Sequence, residues 1–446
     1  MSQPLIPQPA TNDPLSIRTG WILYSIFFGA SVTEAVSVNL LPLTILRFTQ
    51  DPSLIFWILA INPAFGFVAQ PAVGVLSDRV WTRFGRRAIF ILIAAPIVAV
   101  SLICIPFVQS LSWLIACVVA MQFFQDVING ADQPLVADLV APNQRTLILG
   151  VVKAAEYVGL LLVLFVGIPM VEFYQIRAGD DYYGLPLYVT AALCQLGFVS
   201  VSALFIRERR RQGSPPSRFS PVRYVRDYLR QPQLPPLAFA YFLRSFARSA
   251  IFGSIALYAI NTLHLSEQEF GVSWGLMPFV ALTAGIPLGL VAERFPKHRV
   301  LQVAFGILII GNIFGYVLGG ILGMVIASLI LGVGEMLLEV THKAFMSEYY
   351  PANLIGQMAG TTNCFYAAGR VAGLVAVGQC VAWANPSVDW NAVNDNSFVD
   401  YSAMWLISSA AAILAILVLF LTRDLRYEIE RGSQPSTSTL FAGELS

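Results

Sequence analysis

The chain has 446 residues, of which 57% are hydrophobic and only 12% are Asp, Glu, Lys or Arg, and its formal net charge is +1. Soluble domains carry about 25% charged residues, so a soluble enzyme of this length is excluded and a polytopic membrane protein is expected. A net charge this close to zero also excludes the global basic field that holds nucleic acid.

The N-terminal tail, 1–18, is polar and Pro-rich, without the basic start and small-residue cleavage site of a signal peptide. About 20 mainly apolar residues cross a bilayer as a helix, whereas β-barrel strands alternate over about ten. Long apolar runs place helices over 19–43, 53–76, 88–108, 111–137, 146–171 and 184–206. After a polar stretch they resume over 235–262, 270–292, 300–319, 321–346, 356–382 and 401–422. The expected fold is an all-α integral membrane protein of twelve transmembrane helices in two pseudo-symmetric six-helix bundles. The bundles cover 19–206 and 235–422, joined by a basic linker, 207–234, and followed by a tail, 423–446.

Charge placement tests the count independently, because cytoplasmic loops are rich in Lys and Arg. With these spans, 21 of the 27 basic residues fall on one side, and the opposite loops hold only Arg47 and Arg177. Both termini are therefore expected in the cytoplasm, with the chain in the plasma (inner) membrane. Eight arginines between Arg207 and Arg230 either set topology or also hold anionic lipid headgroups. The five cysteines make no C-x-x-C pair, and no catalytic, metal or cofactor constellation is seen. The three lysines lack a P-loop and the three histidines lack an H-E-x-x-H pattern.

Ten ionisable residues fall inside the spans: Glu34, Asp126, Asp132, Lys153, Glu156, Arg244, Arg248, Glu335, Glu339 and Arg370. Each charge costs about 2.5–3.5 kcal/mol at a span centre, so these must pair or face a wet cavity, and they are functional candidates. Arg244 and Arg248 share one face of helix 7, as Glu335 and Glu339 do of helix 10. Glu34 is near the repeat equivalent of Arg248, and Asp126 of Glu335, which would let opposite charges meet. Burial raises a carboxylate's pKa and an adjacent arginine lowers it again, so a moving Arg–acid pair would take up and release a proton. Lys153 and Glu156 have the spacing of a structural i,i+3 pair. His342, Lys343, Trp21, Trp57, Trp113 and Trp405 are expected at the membrane interface. Tyr157, Asn261 and Asn363 are either polyol ligands or helix-packing groups, and Gly285/Gly289, Gly315/Gly319 and Gly369/Gly373 are expected at tight helix contacts.

The halves repeat. GVLSDR at Gly74 is matched by GLVAER at Gly289, ADLVAPNQ (137–144) by SEYYPANL (347–354), and Gly150 and Gly159 by Gly360 and Gly369. Two six-helix repeats suit an alternating-access transporter.

The stretch INPAFGFVAQPAVGVLSDRVWTRFGRRAIF (61–90) resembles the major facilitator superfamily signature between helices 2 and 3. It is most similar to sucrose/proton symporters and the glycoside–pentoside–hexuronide symporter branch, and DVINGADQPLVADLVAPNQRT (126–146) resembles the end of helix 4 there. That branch usually carries an arginine where this chain has Gln133, beside Asp132. The resemblance implies a gating motif of Gly74, Asp78, Arg79, Gly85, Arg86 and Arg87, with Glu293 and Arg294 as the counterpart in the second half. Gly74 would allow close packing, Asp78 would cap helix 11, and Arg79, Arg86 and Arg87 would pair with acids such as Asp138. It also places helices 1, 4, 7 and 10 along the cavity. Substrate binding or proton coupling would then fall to Glu34, Asp126, Asp132, Gln133, Arg244, Arg248, Glu335, Glu339 and Arg370.

Three functions fit. The first is a monomeric, proton- or other cation-coupled transporter of a small hydrophilic solute, foremost a sugar or glycoside. The second is a same-fold carrier or exporter of a non-sugar solute. The third is a pigment or assembly factor, since a bacteriochlorophyll-associated branch also resembles ADLVAPNQR; its weaker need for buried charge speaks against it.

Overall fold

The computed structural model describes residues 17–77, 80–140, 144–179, 182–208, 226, 228–231, 233–350, 355–386, 388, 390 and 399–422. Among them the structure is helical, with one isolated β-bridge, Thr82 to Gly85. In chain order, α1 (Ile17–Asn39) and α2 (Leu41–Leu46) form the first predicted crossing. The second is broken into α3 (Pro52–Leu59), α4 (Ile61–Gly66) and α5 (Ala69–Ser77). Then come α6 (Ala88–Cys104), α7 (Leu111–Leu139), and α8 (Arg145–Leu162) with α9 (Ile168–Ala178). The sixth crossing holds α10 (Leu185–Cys194) and α11 (Val201–Leu204), and the seventh α12 (Leu234–Phe252) and α13 (Ile255–Leu257). The last five are α14 (Glu267–Ala292), α15 (Lys297–Leu318), α16 (Gly320–Ser347), α17 (Ile355–Ala384) and α18 (Ala403–Leu419).

Nine helical runs among the described residues are long and apolar enough to cross a membrane. The other three expected crossings fall on Pro52–Gly66 and Ala403–Leu419, which are apolar but shorter, and on α12, which carries Arg244 and Arg248. Local chemistry sets the ends. Asp51 caps α3 through the Ser53 amide at 2.9 Å, with Pro52 in the first turn, and Ser266 and Glu269 close a capping box on α14. Gly319, at φ +57°, breaks the chain between α15 and α16, so its role is the turn rather than a helix contact.

The chain divides into two compact units, Met1–Phe48 with Ala64–Phe219, and Thr49–Pro63 with Ser220–Ser446. In the first, α1 packs on α8, and α7 packs on α5 and α6. In the second, α16 packs on α14 and α15, and α12 on α17 and α18; α3 lies against α17. Large apolar side chains such as Ile93, Val166, Ile286 and Leu322 stay exposed, as a lipid-facing surface requires. Trp21, Trp57 and Trp113 are exposed as well, but Trp405 is buried: it lies edge-on to Tyr258 and fills the space left by Gly315. Gly369 and Gly373 admit the backbone of α12 at Phe242 and Phe246.

Candidate functional site

In the second unit, α12 presents Arg244 and Arg248 one turn apart, and α16 presents Glu335 and Glu339 one turn apart. The four side chains form one cluster. Arg244 Nη2 donates to Glu339 Oε2 at 2.8 Å and to Glu335 Oε2 at 3.3 Å, while its Nη1 reaches the Leu338 carbonyl at 3.4 Å. Arg248 Nη1 donates to the same Glu335 oxygen at 3.2 Å, and its guanidinium lies over the Phe252 ring at 4.1 Å. Arg244 is wholly buried, whereas the Arg248 side chain is 33% and the Glu339 side chain 20% exposed. The two exposed members are therefore one acid and one base, each tied to a buried partner. Two arginines and two glutamates balance in charge, and Arg244 and Arg248 share the Glu335 carboxylate while Glu339 adds a second contact to Arg244.

Beneath it, Tyr241 packs between His342 and Tyr366, with ring centroids 4.8 and 4.9 Å away. His342 is fully buried, and its Nε2 lies 3.2 Å from the Leu237 carbonyl. A carbonyl only accepts, so Nε2 carries the hydrogen. Ser245 donates to the Tyr366 carbonyl, tying α12 to α17. Arg370, on α17, donates from Nη2 to Asn62 Oδ1 at 3.2 Å.

In the first unit, Asp126 is buried and accepts from Gln70 Nε2 at 2.8 Å. One residue earlier on α7, Gln125 belongs to a chain of amides and hydroxyls. Thr33 donates to Gln195 at 3.0 Å, Gln195 to Gln125 at 3.4 Å, and Gln125 to Asn129 at 3.4 Å. Asp132 is buried too, whereas Glu34 is exposed between buried Thr33 and Ala35. Reading ionisable residues alone misses Thr33, Gln125 and Gln195; their position inside apolar spans was the available signal. Lys153 and Glu156 form an i,i+3 pair at 2.6 Å on an accessible face.

The loop before α6 is held by charge. Asp138 Oδ2 accepts from Arg86 Nη2 at 2.5 Å and Arg87 Nε at 2.7 Å. Glu208, which the sequence reading passed over, accepts the backbone N–H groups of Arg86, Arg87 and Ala88 at 2.9–3.1 Å, capping α6. Gly85 has φ +111°, and a Cβ there would strike Glu208, so the cap needs glycine at this turn. A Cβ on Gly74 would meet no atom within 4 Å; the close approach is at Gly130, against the Gln70 backbone. Asp78, Arg79 and the Gln133 side chain lie outside the described residues. Glu293 and Arg294 are exposed, and the second-unit ion pair nearby is Lys297 with Glu348.

A family model of the Major Facilitator Superfamily matches residues 23–374. The chain belongs to the major facilitator superfamily. Its members are membrane transporters rather than enzymes, which accords with helices long enough to cross a bilayer several times. Among solved structures of this fold is a bacterial homologue of the human lysosomal transporter Spinster, inward-facing and unoccupied. It aligns with a TM-score of 0.69 at 12% identity, over 96% of this chain and 100% of that one. An auto-inhibited peptide transporter of the POT family aligns with a TM-score of 0.68 at 12% identity, over 95% and 100%. The proton-associated sugar transporter A of Mus musculus is 32% identical over 103 residues, and that of Rattus norvegicus equally so. That likeness takes in 20% of this chain, which covers only 14% of the length of these relatives.

Proposed function

We propose that this major facilitator moves a sugar or glycoside by proton-coupled alternating access. The reading has it work as a monomer in the plasma (inner) membrane, with both termini cytoplasmic and six-helix bundles over 19–206 and 235–422. The observation that carries it is the cluster of Arg244, Arg248, Glu335 and Glu339, where a partly exposed acid shares a buried arginine. Proton exchange is the role of Glu339 and Glu335, with Asp126, Asp132 and Glu34 the acids of the first unit. Arg86, Arg87 and Gly85 act in gating, together with Gly74, Asp78, Arg79, Glu293 and Arg294. The sugar assignment is supported by the resemblance of 61–90 and 126–146 to the sugar symporters, and by the short match to the two mammalian transporters.

The test is substrate-evoked proton movement in proteoliposomes, with a pH dye inside and mono- and disaccharides outside. Saturable acidification with one sugar, abolished in Asp126→Asn or Arg248→Gln protein that remains folded, is the expected result. Silence across the panel from folded protein retires the sugar and moves the weight to a non-sugar solute or an assembly role.

A further inference from the structure

We propose that Tyr228, at the end of the basic linker, is a positioning residue for the charge cluster: docked on α17, it holds Tyr366 and Tyr241 in place beneath Arg244 and Glu339. This rests on the proton-exchange role given above to Glu339 and adds a residue outside the spans that sets its geometry. The starting point is a burial that topology does not call for. Arginines suffice to orient a membrane chain, and Arg226 and Arg230 are exposed. Tyr228, between them, is fully buried. Its ring stacks on Phe365 of α17 with centroids 5.7 Å apart, and its hydroxyl meets Thr362 Oγ1 at 3.0 Å. The hydroxyl of Tyr350, just past the end of α16, reaches the same Thr362 oxygen at 2.7 Å. One aromatic side chain of the linker thus joins the end of α16 to the N-terminal part of α17.

From there the contacts run inward. Phe365 is followed by Tyr366, whose carbonyl accepts from Ser245 of α12 and whose ring lies 4.9 Å from that of Tyr241. Gly369 and Gly373 bring α17 against the α12 backbone, and a close-packed contact of this kind passes a shift of one helix to the other. Tyr241 is itself buried, and the Arg244 guanidinium stands 5.9 Å from its ring centroid, within cation–π reach. Arg244 in turn holds Glu339 at 2.8 Å. Tyr228 acts on the glutamate through Phe365, Tyr366 and Tyr241. The stack on Phe365 is the contact that matters, because Tyr350 keeps the Thr362 hydroxyl bonded when that of Tyr228 is lost.

The test is labelling of the purified full chain with dicyclohexylcarbodiimide, which modifies protonated carboxyl groups, read by mass spectrometry at Glu339 and at Glu34. Glu34, exposed in the first unit, is the internal reference. Tyr228→Ala is expected to raise the Glu339 rate about threefold or more against that of Glu34, the size of effect that residues along a packed network exert. Tyr228→Phe, which keeps the stack, is expected to label like the parent chain. Tyr228→Leu replaces the Ala variant if that chain does not fold. An unchanged Glu339 rate in the folded Ala or Leu variant, equal acceleration at Glu34, or a Phe variant that labels like the Ala variant each overturns the proposal. A parent chain that labels at Glu34 and never at Glu339 removes the proton role itself and the proposal with it. Labelling of Glu339 that ignores Tyr228 removes the proposal alone.

Discussion

Lys297 pairs with Glu348, and each stands 210 positions after a partner in the first half, Arg87 and Asp138, which also pair. Gly150 and Gly159 recur at that same offset, as Gly360 and Gly369. The two halves thus keep the same bond at the same place while changing both residue types. The versions differ in strength. Asp138 is shared by two arginines, with its side chain 16% exposed, whereas Lys297 and Glu348 form one pair at 21% and 22% exposure. Asp138→Asn strips a counter-charge from two arginines whose side chains are 11% and 8% exposed, whereas Glu348→Gln removes a more open pair, of a kind worth about 0–1 kcal/mol. Asp138→Asn should therefore lower the melting temperature in detergent clearly more than Glu348→Gln does. Equal shifts would mean that the two pairs are energetically alike despite their geometry.

The Glu208 cap makes a second prediction. Its carboxylate serves three backbone N–H groups at the start of α6. Truncation to Ala leaves these donors without that partner, and loss of a helix cap costs about 0.5–2 kcal/mol. Gly85→Ala should be at least as damaging, because it combines a positive φ with a clash on the same carboxylate. Melting curves of the two single variants and the double variant check this. Since both act on one cap, the double variant should fall short of the sum.

Much of the fold was legible in the sequence because hydropathy and charge asymmetry report spans directly, and i,i+4 spacing put Arg244 with Arg248 and Glu335 with Glu339. Which face of an apolar helix turns inward was not. His342 is enclosed by Tyr241 and the Leu237 carbonyl, and Trp405 by Tyr258 and Gly315, contacts that hydropathy does not report. The three-part break of the second crossing and the wider π-helical turns at Val163–Gly167, Gln195–Ser200 and Tyr258–Thr262 were equally hidden. In the second crossing Pro63 and Pro71 each remove a backbone donor, a local cause of breaks that hydropathy does not register. Tyr228 was hidden for another reason: the arginine-rich composition of the linker drew attention from a single aromatic residue that is fully buried.

That tyrosine gives a pH prediction. Tyr228 and Tyr350, both outside the predicted spans, meet the Thr362 hydroxyl at 3.0 and 2.7 Å. Burial pushes both phenols above their ordinary value, more than the Thr362 hydrogen bonds pull them back. The folded chain therefore keeps these protons above about pH 10, where an unfolded tyrosine ionises. The unfolded state then binds fewer protons, so stability falls as pH rises through that range and is unaffected by these groups at neutral pH. Melting temperatures measured from pH 7 to 11 should decline less steeply above pH 10 for Tyr228→Phe than for the parent chain. An unchanged slope would show that Tyr228 ionises alike in both states.

The last prediction concerns the charge cluster of α12 and α16. Arg244 is wholly buried and bonds both glutamates, so Arg244→Gln removes the cation they share. Arg248 still serves Glu335, but Glu339 loses its contact with Arg244. The single variant should destabilise by about 3–5 kcal/mol, as expected when one member of a buried ionic group is removed. Glu339→Gln in the same chain restores neutrality, and the double variant should regain part of that loss. A double-mutant cycle from thermal unfolding reads the coupling directly, with about 0.5–3 kcal/mol expected for residues in one network. Additive losses would mean that the contact between Arg244 and Glu339 contributes no coupling, and the proton-handling role of Glu339 would lose its physical basis.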